Sequence, residues 1–249
     1  MNEEKHWDSL ASDYDEEVFD VFKSDKFKRL IPYFDKYANA AHRAIDFGCG
    51  TGKGFPYLSP RFKSVQAIDI SQQCLITAEA RGFGNIELLR RDLTRNNKLG
   101  PVDFVFCCNV IILPEPDQNI KMIRNMFKAL RKGGSAVVIA PSLDSILFYA
   151  WRLIDWYRRE GVKPKNIPAS EFNYFKGDIK DLFQGIVKID KVPTKHYLHS
   201  ELQVLFTDAG FEIEAIDKIE YDWTTEFLSP PAWMKAPYPW DWLIECRKP

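Results

Sequence analysis

The chain has 249 residues, 45% of them hydrophobic and 28% charged, with a formal net charge of −1. That is enough for one large domain with a full core or two small ones, of ordinary globular composition. It offers no broad positive field for nucleic acid, no apolar run that spans a bilayer and no apolar leader in Met1–Lys5. The expected setting is cytoplasmic, without nucleic-acid or membrane partners.

Trp7, Leu10 and Tyr14, then Val18, Phe22, Leu30 and Phe34, recur at helical spacing and predict an N-terminal helical lid over about residues 1–38, broken near Ser24. Ala44–Phe47 predicts a buried strand running into Gly48-Cys49-Gly50-Thr51-Gly52, a turn where backbone lies close to a ligand. The glycine spacing is neither that of a dinucleotide fingerprint nor that of a P-loop. Gly54–Arg61 predicts a short helix between prolines, and Val65–Ile68 a second strand ending at Asp69. Ser71 is placed to cap the next helix, which Gly82 and Gly84 end. Ile86–Leu89 and Val102–Cys108 follow as strands, Gln118–Leu130 as a helix stopped by Gly133-Gly134, and Ser135–Ala140 as a fifth strand.

Leu143–Arg159 is amphipathic, and residues 161–180 are rich in loop formers, so about 141–195 reads as a cap inserted over the sheet. Ser200 and Gln203 suggest a capping box for a helix ending at Gly210. Phe211–Ile219 and Trp242–Arg247 are the last two strands, paired across a proline-rich connection. Continuous apolar strands alternating with helices predict an open, doubly wound α/β fold. It has a seven-stranded, mostly parallel sheet and an inserted helical cap, in a single domain over 1–249.

The five cysteines read as small buried thiols in a reducing compartment, and they share no metal-ligand spacing with the four histidines. Asp46, Asp69 and Asp92 fall at or just after strand C-termini, the edge where open α/β sheets bind ligands. Asp46 suits a turn or a bound ammonium, Asp69 two ribose hydroxyls, and Asp92 an exocyclic amine. Such carboxylates favour a cofactor with hydroxyls and positive charge over a phosphate-rich one.

Asp46-Phe47-Gly48-Cys49-Gly50-Thr51-Gly52 resembles the first motif of the class I S-adenosylmethionine-dependent methyltransferases. Asp69, Arg91-Asp92-Leu93, Phe106 to Ile111, Leu130 to Gly134 and Glu201 to Phe211 resemble the family's later landmarks in order, and Trp7 to Asp15 its cofactor-covering helix. The resemblance is to the small-molecule members and spans roughly residues 7–140 and 197–247. It implies S-adenosylmethionine as cofactor, with S-adenosylhomocysteine as product. The implied cofactor contacts are Tyr14, Asp46, Gly48, Cys49, Gly50, Gly52, Asp69, Ile70, Asp92, Leu93, Asn109 and Val110. Two features depart from the pattern. Cys108-Asn109 stands where many members carry an aspartate, and 141–195 follows no family pattern.

The implied reaction is in-line methyl transfer to an N, O or S nucleophile of a small, partly apolar or aromatic molecule, with alignment supplying much of the rate. An amine or thiolate needs no dedicated base. A hydroxyl acceptor benefits from one, and His196 and His199 are the nearest candidates. Tyr149, Trp151 and Tyr197 are the candidate acceptor contacts: Tyr149 and Trp151 as a pocket floor, with helical core packing the competing reading for each, and Tyr197 as a lid or pocket residue. A protein or peptide acceptor, or a non-catalytic cofactor-binding partner protein, are the alternatives. No metal is expected, and the expected state is a monomer or homodimer.

Overall fold

The computed structural model describes residues 3–11, 18–175, 177–189 and 191–249. Its strands are β1 Asn39–Phe47, β2 Phe62–Asp69, β3 Ile86–Arg90, β4 Val102–Cys108, β5 Leu130–Pro141, β6 Ile186–Ile189, β7 Val192–Lys195, β8 Glu212–Glu220 and β9 Trp240–Arg247. Seven form one sheet in the order β3-β2-β1-β4-β5-β9-β8, and β6 and β7 form a separate hairpin. β1 to β5 pair in parallel; β9 alone runs antiparallel, between β5 and β8. This is the expected doubly wound, mostly parallel sheet. Its order reverses between β1 and β4, which makes their C-terminal ends the switch point where a ligand crevice opens.

The helices are α1 Glu3–Leu10, α2 Val21–Ser24, α3 Leu30–Tyr37, α4 Phe55–Leu58, α5 Gln72–Glu79, α6 Pro116–Ala129, α7 Leu143–Arg159, α8 Ile179–Phe183 and α9 His199–Asp208. Period-two alternation in the strands divides the core. Val105, Cys107, Ala136, Val138 and Ile244 bury one face against Met122, Met126, Leu202 and Phe206 of α6 and α9. Phe104, Phe106, Val137, Ile139 and Leu243 bury the other against Val21, Leu30, Phe34 and Leu58. With both faces covered, the central strands read as unbroken apolar runs.

Several boundaries differ from expectation. Among the described residues the N-terminal segment holds three short helices, and from Val21 onward it is sheet core rather than lid: Phe34 packs on Phe106 at 5.0 Å and on Tyr57 at 5.6 Å. Gly133 and Gly134 do not end α6. The chain turns into β5 at Leu130, and a register shift between Val102 and Phe104 takes up the extra residues. Ser71 does cap α5, accepting from the Cys74 amide. Ser200 does not cap α9; it lies in the first turn, where Leu198 is the cap residue and the Glu201 carboxylate accepts from the Leu198 amide at 3.4 Å.

The cap is broader than residues 141–195. Leu143, Ile146, Tyr149 and Leu153 of α7 pack with Val187 of β6 and with Trp223, Phe227 and Met234 from the β8–β9 connection. Two distant chain segments thus share one apolar cluster over the sheet edge. Among the described residues, no helix is long and apolar enough to cross a membrane.

Candidate active site

A cavity of about 1260 Å³ opens at the switch point, between the C-terminal sheet edge, the N-terminal helices and the cap. Its floor is the turn after β1. Gly48, Gly50 and Gly52 have φ of 81°, 52° and 82°, a region that only glycine occupies freely. Gly48 also meets the turn after β4: a Cβ there would lie 2.2 Å from Val110 Cγ2. Asp46, Gly48, Cys49 and Asn109 line the cavity.

Asp46 is 3% exposed, and its Oδ2 has no hydrogen-bond partner. Burial, with the Asp69 charge adding to it, pushes its carboxyl up to about 7. Cys49 is buried, and burial first, then the nearby carboxylates, hold its thiol far above the range of a nucleophile.

Asp69 is committed to the turn itself. It accepts from the Gly50 amide at 2.8 Å and the Ser71 amide at 2.9 Å, so it fixes the glycine backbone from behind. Gly50, Gly52, Asp69, Ile70, Asp92, Leu93 and Val110 are not among the cavity-lining residues. α1 lies over the edge where several of them sit. Asp8 accepts from Ser71 Oγ at 2.6 Å and from the Gln73 amide at 3.2 Å, Glu4 pairs with Arg90, and Trp7 and Leu10 face the cavity. Burial opposes ionisation of Asp92, but hydrogen bonds from Thr94 and Arg95 outweigh it and hold the carboxyl low. Leu93 is core. Tyr14 lies outside the described residues.

Of the two candidate histidines, only His196 reaches the cavity. It is 7% exposed, with Nδ1 3.1 Å from the Thr194 carbonyl. A carbonyl only accepts, so Nδ1 carries the proton and Nε2 is left as an acceptor. Burial pushes the ring down to about 4 from 6.5; the Thr194 bond opposes this and the Lys195 charge adds to it. His196 is therefore neutral at pH 7. A base depressed in the fold contributes stability that is fully present above its unfolded value. That contribution is lost as pH falls from 6.5 through about 4. His196→Gln is expected to flatten that part of the stability–pH curve, removing on the order of 3 kcal/mol of variation, read by urea unfolding across the window.

The other four candidates lie outside the cavity lining, and local geometry gives the reasons. His199 sits at the start of α9, packed edge-on against Trp242 at 5.3 Å. Tyr197 is fully buried; its hydroxyl donates to the Ile111 carbonyl at 2.7 Å. His196 and Tyr197 are neighbours in extended backbone, so one faces the cavity and the other the core. Tyr149 lies on the buried stripe of α7 and packs against Tyr174 and Phe227. Trp151, two residues along that helix, falls on its outer side, 56% exposed.

Sequence reading missed three cavity carboxylates, Glu115, Asp241 and Glu226, of which the last two share one wall. Asp241, the second residue of β9, accepts from Tyr221 Oη at 2.8 Å and from Asn109 Nδ2 at 3.2 Å. It restores an acidic group beside Cys108-Asn109. Burial raises its pKa, although both hydrogen bonds favour the ionised form. Glu226, from the β8–β9 connection, is pushed up to about 7 by burial and further by Asp241, against a hydrogen bond from Thr225. Only the antiparallel placement of β9 and the folding back of residues 223–238 bring these groups to the switch point.

The methyltransferase domain family model matches residues 44–134. No curated protein sequence gives a significant match. Among solved structures, the chain is similar to an S-adenosylmethionine-dependent methyltransferase from Methanosarcina mazei, with a TM-score of 0.64 at 19% identity over 87% of this chain and 97% of that one. It is similar to the N-methyltransferase NodS from Bradyrhizobium japonicum in complex with S-adenosylhomocysteine, with a TM-score of 0.61 at 14% identity over all of both chains. The [4+2]-cyclase SpnF also shares the fold, with a TM-score of 0.56 at 15% identity over 89% of this chain and 80% of that one. The domain match over residues 44–134 and the sheet order together show that the chain has the class I S-adenosylmethionine-dependent methyltransferase fold.

Proposed function

We propose that the protein transfers a methyl group from S-adenosylmethionine to a small, partly apolar or aromatic molecule enclosed by the cap. The carrying observation is the Asp46 carboxyl, buried and with its Oδ2 lacking a donor, beside a three-glycine turn at the floor of the cavity. The residues present fit the cofactor. A buried acceptor meets the need of a ligand ammonium. The backbone cradle has no room for a Cβ at Gly48, and Asp69 stiffens the turn at Gly50. Asp46, Gly48, Cys49 and Asn109 would hold the amino-acid end, with Asp69, Ile70, Asp92 and Leu93 on the adenosine side. When bound, the cofactor supplies an electrophilic methyl on a sulfonium centre.

The chain's own contribution is to align and to exclude water. Phe22, Phe106, Tyr221 and Trp240 wall the cavity with aromatic surface, and α7 and the β8–β9 connection cover it. Incubation with methyl-labelled S-adenosylmethionine and separate pools of small metabolites and peptides tests the reading. Label is expected in the metabolite pool. Label confined to peptides, or cofactor binding without transfer to any pool, would replace it with a protein methyltransferase or a protein using this fold for other chemistry.

A further inference from the structure

We infer that the methyl acceptor is an amine, bound as its ammonium between Asp241 and Glu226; this deepens the methyl-transfer reading above and rests on it. The charge on the cavity wall is one-sided. Among the described residues lining it, the acidic groups are Asp46, Glu115, Glu226 and Asp241, and the basic ones are Lys53 and His196. Lys53 is already engaged, donating to the Val18 carbonyl at 3.2 Å and lying 3.7 Å from Asp20. His196 presents a lone pair rather than a charge.

Among the described residues, three of the five buried side-chain polar atoms that lack a partner belong to this wall. They are Asp46 Oδ2 and Asn109 Oδ1, which need donors, and Trp240 Nε1, which needs an acceptor. S-adenosylmethionine carries one net positive charge, which Asp46 offsets. Asp241 and Glu226 then remain, on the cap side, facing whatever shares the cavity. Tyr221 and Asn109 hold Asp241 in place, and Thr225 bonds to Glu226.

Two half-buried carboxylates repel an acidic acceptor and give a neutral alcohol no charge to pair with. An ammonium pairs with both beside the ring of Tyr221, while Trp240 already carries the Lys218 ammonium 3.5 Å from its ring centroid. The chemistry balances. The ammonium gives a proton to a Glu226 oxygen and becomes a neutral amine. Its nitrogen lone pair then forms the new N–C bond as the S–C bond of the donor breaks, with that electron pair going to sulfur. The product is a methylammonium. A carboxyl near 7 is suited to receive that proton.

The test uses phenethylamine and hexylamine, each with its alcohol and carboxylate counterparts. Binding is followed by calorimetry and thermal shift on the full chain, with and without S-adenosylhomocysteine. Each amine is expected to bind at least about tenfold more tightly than its alcohol, with the carboxylates weakest. Glu226→Gln and Asp241→Asn should each erase most of that preference while leaving the alcohols unmoved. Glu226 is half-buried at the wall, so its variant tests the site without emptying the core. Alcohols or carboxylates binding as tightly as amines, no amine bound more tightly than its alcohol, or a preference that survives both substitutions would overturn the inference. S-adenosylmethionine binding is titrated in parallel. Amine preference without cofactor binding removes methyl transfer and leaves the cation site, and cofactor binding without amine preference does the reverse.

Discussion

Gly48→Ala is expected to lower S-adenosylmethionine affinity by at least about tenfold and to destabilise the fold. Two costs add. A Cβ at position 48 would sit 2.2 Å from Cγ2 and 2.8 Å from Cγ1 of Val110, so the turns after β1 and β4 would have to separate or the valine rotate. Overpacking of that kind costs about 1–3 kcal/mol, and the φ of 81° adds roughly 1–2 kcal/mol for an L side chain. Val110→Ala in the same chain removes both γ-carbons but leaves Cβ at 3.1 Å, so it should recover the packing cost and not the backbone cost. Urea unfolding and calorimetry of the single and double variants separate the two. A Gly48→Ala protein with unchanged stability and affinity would mean that the turn is not the tight junction described.

Binding of S-adenosylmethionine is expected to release a proton from Asp46. Its folded pKa of about 7 is raised above the ordinary 3.8. Stability from the bound proton is therefore fully present below the unfolded value and is lost as pH rises through about 7. Asp46→Asn should be more stable than wild type near pH 8, by up to ~4 kcal/mol, with the gap closing toward pH 4. A cationic ligand against this carboxyl reverses the balance, because an adjacent positive charge favours the ionised form. Calorimetry near pH 7 in buffers of different ionisation enthalpy should show proton release on binding, absent in Asp46→Asn together with most of the affinity. Equal heats in all buffers with wild-type protein would contradict an ammonium partner for Asp46.

Much of the sheet was legible because its signals are local. The strands facing two helical layers read as apolar runs, Ser71 reads as a cap, and the glycine turn requires positive φ where only glycine serves. The cavity's far wall was not, because tertiary placement makes it. Nothing in the neighbourhood of Glu226 says that residues 223–238 fold back onto α7, and nothing near Asp241 says that β9 inserts beside β5. The loss of an aspartate after β4 looked like a missing charge, whereas Asn109 binds an aspartate from the other end of the chain. Aromatic residues misled in the opposite direction. Tyr197 and Trp151 share ring chemistry with the true lining residues but lie on the wrong side of their backbone, a difference of one or two positions that composition does not show.

Calorimetric titration of the full chain with S-adenosylmethionine, beside Asp69→Ala, tests the central claim most directly. Asp69 holds the Gly50 and Ser71 amides, so its loss frees the turn without touching the cavity wall. Saturable binding by wild type, weakened at least about tenfold in the variant, is the predicted result. Absence of binding by folded wild-type protein, or equal binding by both, would contradict it.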